Sequence, residues 1–242
     1  MFGQIPATGA DLRFQLLGIP VRVHPVFWLS SAFLAWDRGA QEPDLRKVFL
    51  RILCIFLAIL VHELGHALVT RRYGWDSEIV LYFFGGYATS TRHTTWKDIA
   101  VSAAGPGAGF LLFLTFQFTA EPLLHWATGV LSKQMWFLLA DAIYFSLFIN
   151  FAWNVMNLIP VLPLDGGQIS RELFLWFNPR RGMEWSLLLS VVAAGGIALL
   201  AMRAKMIGSS LLGLDPTFLA LMFAYLAYRS YQQYEAAKRG YW

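Results

Sequence analysis

Apolar residues in this chain fall into long blocks separated by short polar stretches. Six blocks approach the about 20 residues an α-helix needs to cross a bilayer. They are His24 to Trp36, Val48 to Val69, Ile99 to Ala120, Met135 to Ile159, Trp185 to Met202 and Leu211 to Tyr228. The first is short and suits an extended or partly interfacial helix. Between the second and third blocks, Ser77 to His93 reads SEIVLYFFGGYATSTRH, β-formers broken by glycines. That stretch is too interrupted for a spanning helix and suits a re-entrant β-hairpin. Such backbone is tolerated at membrane depth only where protein or a wet cavity satisfies its polar groups, so the hairpin is expected against the bundle. The pattern as a whole predicts an all-α membrane protein, a polytopic bundle of about six transmembrane helices with one short re-entrant hairpin.

Composition agrees with the pattern: 57% of the 242 residues are hydrophobic and 14% charged, far from the balance of a soluble domain. The length favours a single membrane-embedded domain over residues 1–242, with a core at about 23–168 and further helices and a tail in 169–242. The net charge of +4 does not point to nucleic acid, because the basic residues sit in small groups at block ends. Their distribution instead suggests an orientation. Arg71, Arg72, Arg92 and Lys97 share one loop and Arg180 and Arg181 another, whereas Glu121 to Gln134 holds only Lys133. Both termini are expected in the cytoplasm of a protein of the cell (inner) membrane, although Asp37 to Lys47 and the pair Arg203 and Lys205 pull the other way. The segment through Arg22 lacks the features of a removable signal peptide, so the first span is expected to direct insertion. Cys54 is the sole cysteine, which excludes an internal disulfide and a thiolate metal cluster.

Within the second block, ILVHELGHALVTRR places His62, Glu63 and His66 in apolar surroundings. Ionisable groups inside a span are costly and point to function. Histidines at i and i+4 share a helix face, a spacing that suits two imidazoles on one Zn²⁺, and Glu63 beside them can take a proton from water. The bland alternative is a set of polar residues snorkelling near a helix end. A catalytic zinc normally has three protein ligands, so a third must come from elsewhere. Asp165, in NLIPVLPLDGGQ, is the best candidate. Its competing role is the N-cap of a helix over Gln168 to Phe177, and a carboxylate has lone pairs enough for both.

On these residues the chain resembles the site-2 proteases, intramembrane zinc metalloproteases of peptidase family M50. The resemblance rests on His62-Glu63-x-x-His66 and on Asn157-x-x-Pro160-x-x-Pro163-Leu164-Asp165-Gly166. It is supported by the VHP of Val23 to Pro25, the FFGG of Phe83 to Gly86 and the AAGPGAG of Ala103 to Gly109. It implies one catalytic zinc ion held by His62, His66 and Asp165, with Glu63 as general base and Asn157 holding substrate or oxyanion. Substrates would be transmembrane segments of other proteins in the lipid bilayer, in regulated intramembrane proteolysis. Gly109 stands where the family often has asparagine, no room is expected for the PDZ or CBS domains of some relatives, and the last two spans carry no matching motif.

Other features need no family. Ser146, Asn150, Asn154 and Asn157 fall on one helix stripe that should face the bundle interior. Hydrogen bonding between helices explains Ser146 and Asn150, while Asn157, next to the candidate ligand, favours a catalytic or substrate role. Gly105 and Gly109 form a G-x-x-x-G pair suited to close packing against the zinc helix. His24, His93 and His125 read as interfacial, as do Trp75, Trp96, Trp126 and Trp242. Tyr82 to Ala88 offers a strand edge that would hold an unwound substrate by its main chain. Two competing classes are a divalent-metal transporter, for which Asp141 is the main extra ligand candidate, and an inactive relative that binds membrane helices.

Overall fold

The computed structural model describes residues 6–36, 44–83, 85–88 and 94–239. Phe84, Arg92, His93 and Trp242, and most of the loop from Asp37 to Lys47, lie outside them. In chain order the elements are β1 (Leu12–Leu16), β2 (Ile19–Val23), α1 (Pro25–Ala35), α2 (Leu45–Arg72), β3 (Ile79–Tyr82), β4 (Gly85–Ala88), α3 (Thr95–Thr128), α4 (Lys133–Asn157), α5 (Asp165–Phe177), α6 (Gly182–Met206) and α7 (Pro216–Lys238).

Among the described residues, four helices, α2, α3, α4 and α6, are long and apolar enough to cross a membrane. The other two expected spans differ. At 11 residues, α1 is about 16 Å long and does not reach across a hydrocarbon core of about 30 Å. The last block starts late, because Leu211 and Leu214 pair in a turn and Asp215 caps the N-terminus of α7 by accepting from the Phe218 N–H at 2.8 Å. From there α7 runs on into the polar sequence to Lys238. Between the third and fourth blocks, α3 continues through Glu121 and Pro122 to Thr128, leaving only residues 129–132 as a connection.

Contacts gather into two units, Met1–Thr91 with Gly107–Phe151, and Arg92–Pro106 with Ala152–Trp242. The first contains the sheet. β3 and β4 pair antiparallel and belong to a four-stranded sheet in the order β1-β2-β3-β4. The all-α expectation misses β1 and β2. These strands form a hairpin of their own whose turn uses positive φ at Leu17 (52°) and Gly18 (76°), the conformation a two-residue hairpin turn demands. Arg71 of α2 donates to the Leu17 carbonyl at 3.0 Å and holds that turn in place. At the hairpin's start, a hydrogen bond from the Thr8 hydroxyl, with Arg22 nearby, lowers the Asp11 pKa to about 2.

β2 runs parallel to β3 and buries Ile19, Val21 and Val23 on alternate positions, where they join Ile79 and Leu81. The VHP stretch then has a plain structural meaning. Val23 ends β2, the His24 ring nitrogen Nδ1 caps α1 by accepting from the Val26 N–H at 3.2 Å, and Pro25 occupies the first helical turn, where its missing N–H costs nothing. His24 also packs edge-on against Tyr82 at 4.9 Å, so its role is more specific than an interfacial residue.

α2 supplies the core of this unit. Asp44 caps its start, and its buried residues include Ile55, Ile59, His62, His66 and Thr70, a stripe at helical spacing. The outer half of α3 packs on α4 through Ala120, Leu124, Ala140 and Ile143, and the Trp136 indole donates to the Leu124 carbonyl at 3.0 Å. Arg51 of α2 grips Asp141 of α4 with two bonds of 2.7 and 2.9 Å, while its guanidinium lies over the Phe145 ring. Asp141 is thus engaged by a cation inside the protein, which answers the charge that made it a transport candidate. Asp141→Ala leaves that cation stranded and should destabilise the protein by about 3 kcal/mol. Removing both charges as Arg51→Leu with Asp141→Leu should restore most of the loss, read as thermal midpoints in detergent.

In the second unit α6 buries a face of small residues, among them Gly182, Ser186, Ser190, Ala194 and Ala198. Small side chains let backbones approach closely. At Gly182 the approach is extreme, since a Cβ there would lie 2.4 Å from the Phe174 carbonyl oxygen of α5.

Candidate metal centre

The buried stripe of α2 changes chemistry in its last three turns, from Ile55 and Ile59 to His62 and His66. The imidazoles are 2% and 7% exposed, and their Nε2 atoms face each other at 3.1 Å. Two nitrogens bound to one tetrahedral zinc at about 2.0–2.1 Å would be about 3.4 Å apart. The pair is slightly closer than two corners of such a tetrahedron, at the distance of a direct ring N···N contact. One turn further on, the buried Thr70 hydroxyl donates to the His66 carbonyl at 2.8 Å and fixes the helix end that carries His66. Glu63 is 4% exposed, a burial that a carboxylate tolerates only where function or partners hold it.

Asp165 stands on a different kind of support. Leu164 is the N-cap residue of α5 and Asp165 the first residue inside it, so the expected N-cap role falls one position away and α5 begins three residues earlier than the pattern suggested. A carboxylate in the first turn is favoured by the helix dipole. Behind it, Gly166 and Gly167 press on their own approach loop: a Cβ at Gly166 would meet the Leu158 carbonyl oxygen at 2.1 Å, and one at Gly167 the Val161 carbonyl carbon at 2.4 Å. Asp-Gly-Gly is thus a packing requirement of the turn that presents the carboxylate. One ligand atom from each of His62, His66 and Asp165 lies within 4.8 Å of the others. Two neutral imidazoles and one carboxylate are the donor types zinc takes in a catalytic site.

On α4, Ser146, Asn150 and Asn154 are buried, as their shared stripe predicts, and Asn157 is half-buried. The Asn150 amide donates to the Ser146 carbonyl at 2.8 Å and the Asn157 amide to the Trp153 carbonyl at 3.0 Å, bonds along their own helix. The Asn157 amide keeps a second N–H and its carbonyl oxygen beyond that bond. Gly105 and Gly109 of α3 are buried, and Gly107 between them is exposed with open space where a Cβ would go.

Among the described residues, four apolar helices support an integral membrane protein, and His62, His66 and Asp165 form a candidate cluster of zinc-type donors. The model of peptidase family M50 matches residues 50–128 and 124–202, which include every member of that cluster. The chain belongs to peptidase family M50. A Synechocystis sp. protein that carries a provisional zinc metalloprotease name is 33% identical over 66% of this chain and 42% of its own length. A zinc metalloprotease of Methanocaldococcus jannaschii is 27% identical over 66% of this chain and 44% of its own. The chain thus spans less than half the length of these curated relatives. A solved structure of a site-2 protease from Methanocaldococcus jannaschii shares the fold, with a TM-score of 0.56 at 20% identity over 93% of this chain and 95% of that one.

Proposed function

We propose that the protein is an intramembrane zinc metalloprotease that hydrolyses peptide bonds within or near the transmembrane segments of other membrane proteins. The observation that carries this reading is the convergence of His62, His66 and Asp165 within 4.8 Å, with Glu63 next in sequence to the first of them. His62, His66 and Asp165 hold one zinc ion. When bound, zinc supplies Lewis-acid polarisation of the scissile carbonyl and acidifies water to a pKa of about 7. Glu63 accepts a proton from the attacking water and returns it to the departing amine. The second N–H of Asn157 steadies the negative charge that develops on the carbonyl oxygen.

A peptide bond inside an intact helix is shielded by its own hydrogen bonds, so the substrate must unwind locally before attack. β4 is the terminal strand in the sheet order and pairs with β3 alone among the described strands. Its outer edge suits main-chain docking of an extended segment with little demand on sequence. Both termini and the opening to the site face the cytoplasm of the cell membrane in this reading, since α2 carries His62 and His66 near the end that finishes at Arg71 and Arg72.

Asp165→Ala tests the ligand set directly. Zinc content of the purified chain, measured by elemental analysis, should fall well below the wild-type value, and an unchanged content would return Asp165 to a structural role. Tyr87→Pro tests the strand edge: proline deletes a backbone donor from β4, so reporter cleavage should fall about tenfold or more while zinc content holds. Undiminished cleavage would move substrate docking elsewhere. Zinc flux into liposomes without cleavage of a model span would make the protein a transporter instead.

A further inference from the structure

Asp165 is reached through a loop with an unusual backbone problem. Pro160 and Pro163 have no N–H to donate. Of the three N–H groups between Pro160 and Asp165, that of Val161 bonds to the Ile159 carbonyl at 2.7 Å and that of Leu164 to the Val161 carbonyl at 2.8 Å, both within the loop. The Leu162 N–H goes outside it, to the Ser190 hydroxyl oxygen of α6 at 3.2 Å. Ser190 is fully buried, and its own proton is committed to the Ser186 carbonyl one turn back at 2.9 Å. That commitment turns the oxygen lone pairs toward the loop. On the loop's other side, Gly167 leaves no room, since a Cβ there would lie 2.5 Å from the Leu162 nitrogen. The backbone just before Pro163 is therefore pinned between the first turn of α5 and a hydroxyl on α6.

We infer that Ser190 is a positioning residue for Asp165: its hydroxyl, accepting from the Leu162 N–H, fixes the loop that aims the third metal ligand. The inference rests on the metalloprotease reading and adds to it a residue from α6, which carries none of the motifs. Partners that orient metal ligands commonly contribute about 10- to 100-fold in metal affinity. No other group among the described residues ties this loop's N–H donors to a different helix.

Zinc titration of the full purified chain in detergent, against a competing chelator, tests it. Ser190→Ala should weaken zinc binding by about tenfold or more, with the metal-free melting temperature close to wild type. Ser186→Ala is the matched control. It is on the same helix and equally buried, its hydroxyl has no hydrogen-bond partner, and its carbonyl is untouched; its zinc affinity should stay within about twofold of wild type. Equal affinity in Ser190→Ala and wild type overturns the inference, and so does an equal loss in both variants, which would mean packing alone. A wild-type chain that holds no zinc would overturn the metalloprotease reading itself. If Ser190→Ala does not fold, replacing the Leu162 peptide N–H by an ester oxygen removes the same bond from the loop side. The same weakening is expected, and unchanged affinity again overturns the proposal.

Discussion

Glu63→Gln is expected to leave zinc content at the wild-type value and to cut turnover of a reporter span by about 10²- to 10⁴-fold or more. Glutamine has nearly the shape of glutamate and can still hydrogen-bond a water, but it cannot take the proton. The split between metal content and activity is the informative part. His62 and His66 occupy the buried stripe of α2 with their Nε2 atoms 3.1 Å apart, and Glu63 is assigned the proton rather than the metal. A variant that loses zinc along with activity would mean that Glu63 serves the ligand set. One that keeps cleaving would remove it from the reaction altogether.

The second large effect is expected at a residue with no functional group. Gly166→Ala forces a Cβ to within 2.1 Å of the Leu158 carbonyl oxygen and 2.3 Å of its carbon, so either α5 or the preceding loop must move. Asp165 lies immediately before it and moves with whichever gives way. Zinc affinity should fall about tenfold or more, by the same loss of ligand orientation expected of other supporting residues. Stability should fall by about 1–3 kcal/mol, the usual cost of overpacking. Gly107→Ala in α3 is the contrast. Its Cβ would meet nothing within 4 Å, and alanine favours a helix over glycine by up to about 1 kcal/mol. Thermal midpoints and zinc titrations of the two variants, side by side, check both halves. Wild-type zinc affinity in Gly166→Ala would show that the carboxylate does not depend on this packing.

Much of the candidate site was legible in the sequence because its strongest signal is local. His62 and His66 are one helical turn apart by spacing alone, and the apolar residues around them required a helix. Asp165 is the candidate for a missing third ligand, and Gly166 and Gly167 follow it directly. Their actual service is close backbone contact, which no local pattern announces. The N-terminal hairpin left a fainter trace: β1 and β2 alternate side-chain faces over Leu12 to Val23 around a Leu-Gly turn, but each is only five residues long. Their place in the sheet depends on a parallel pairing with β3 from beyond α2. Asp141, the extra ligand candidate of the competing transporter class, has a partner equally far away in the chain. A lone acid in a span reads as a ligand until Arg51, 90 positions earlier, is seen gripping it.

By itself, then, the sequence determined the solvent the chain expects, the family, and the pair of histidines with their glutamate, because hydropathy and the 3.6-residue period act over a few turns of one helix. Only the tertiary structure decided which distant groups hold those turns in place: Arg51 on Asp141, Arg71 on the Leu17 turn, and Ser190 on the loop before Asp165. Such contacts engage charges and backbone polar groups whose partners are not nearby in the chain, and a partner tens of residues away leaves no periodic mark at either end.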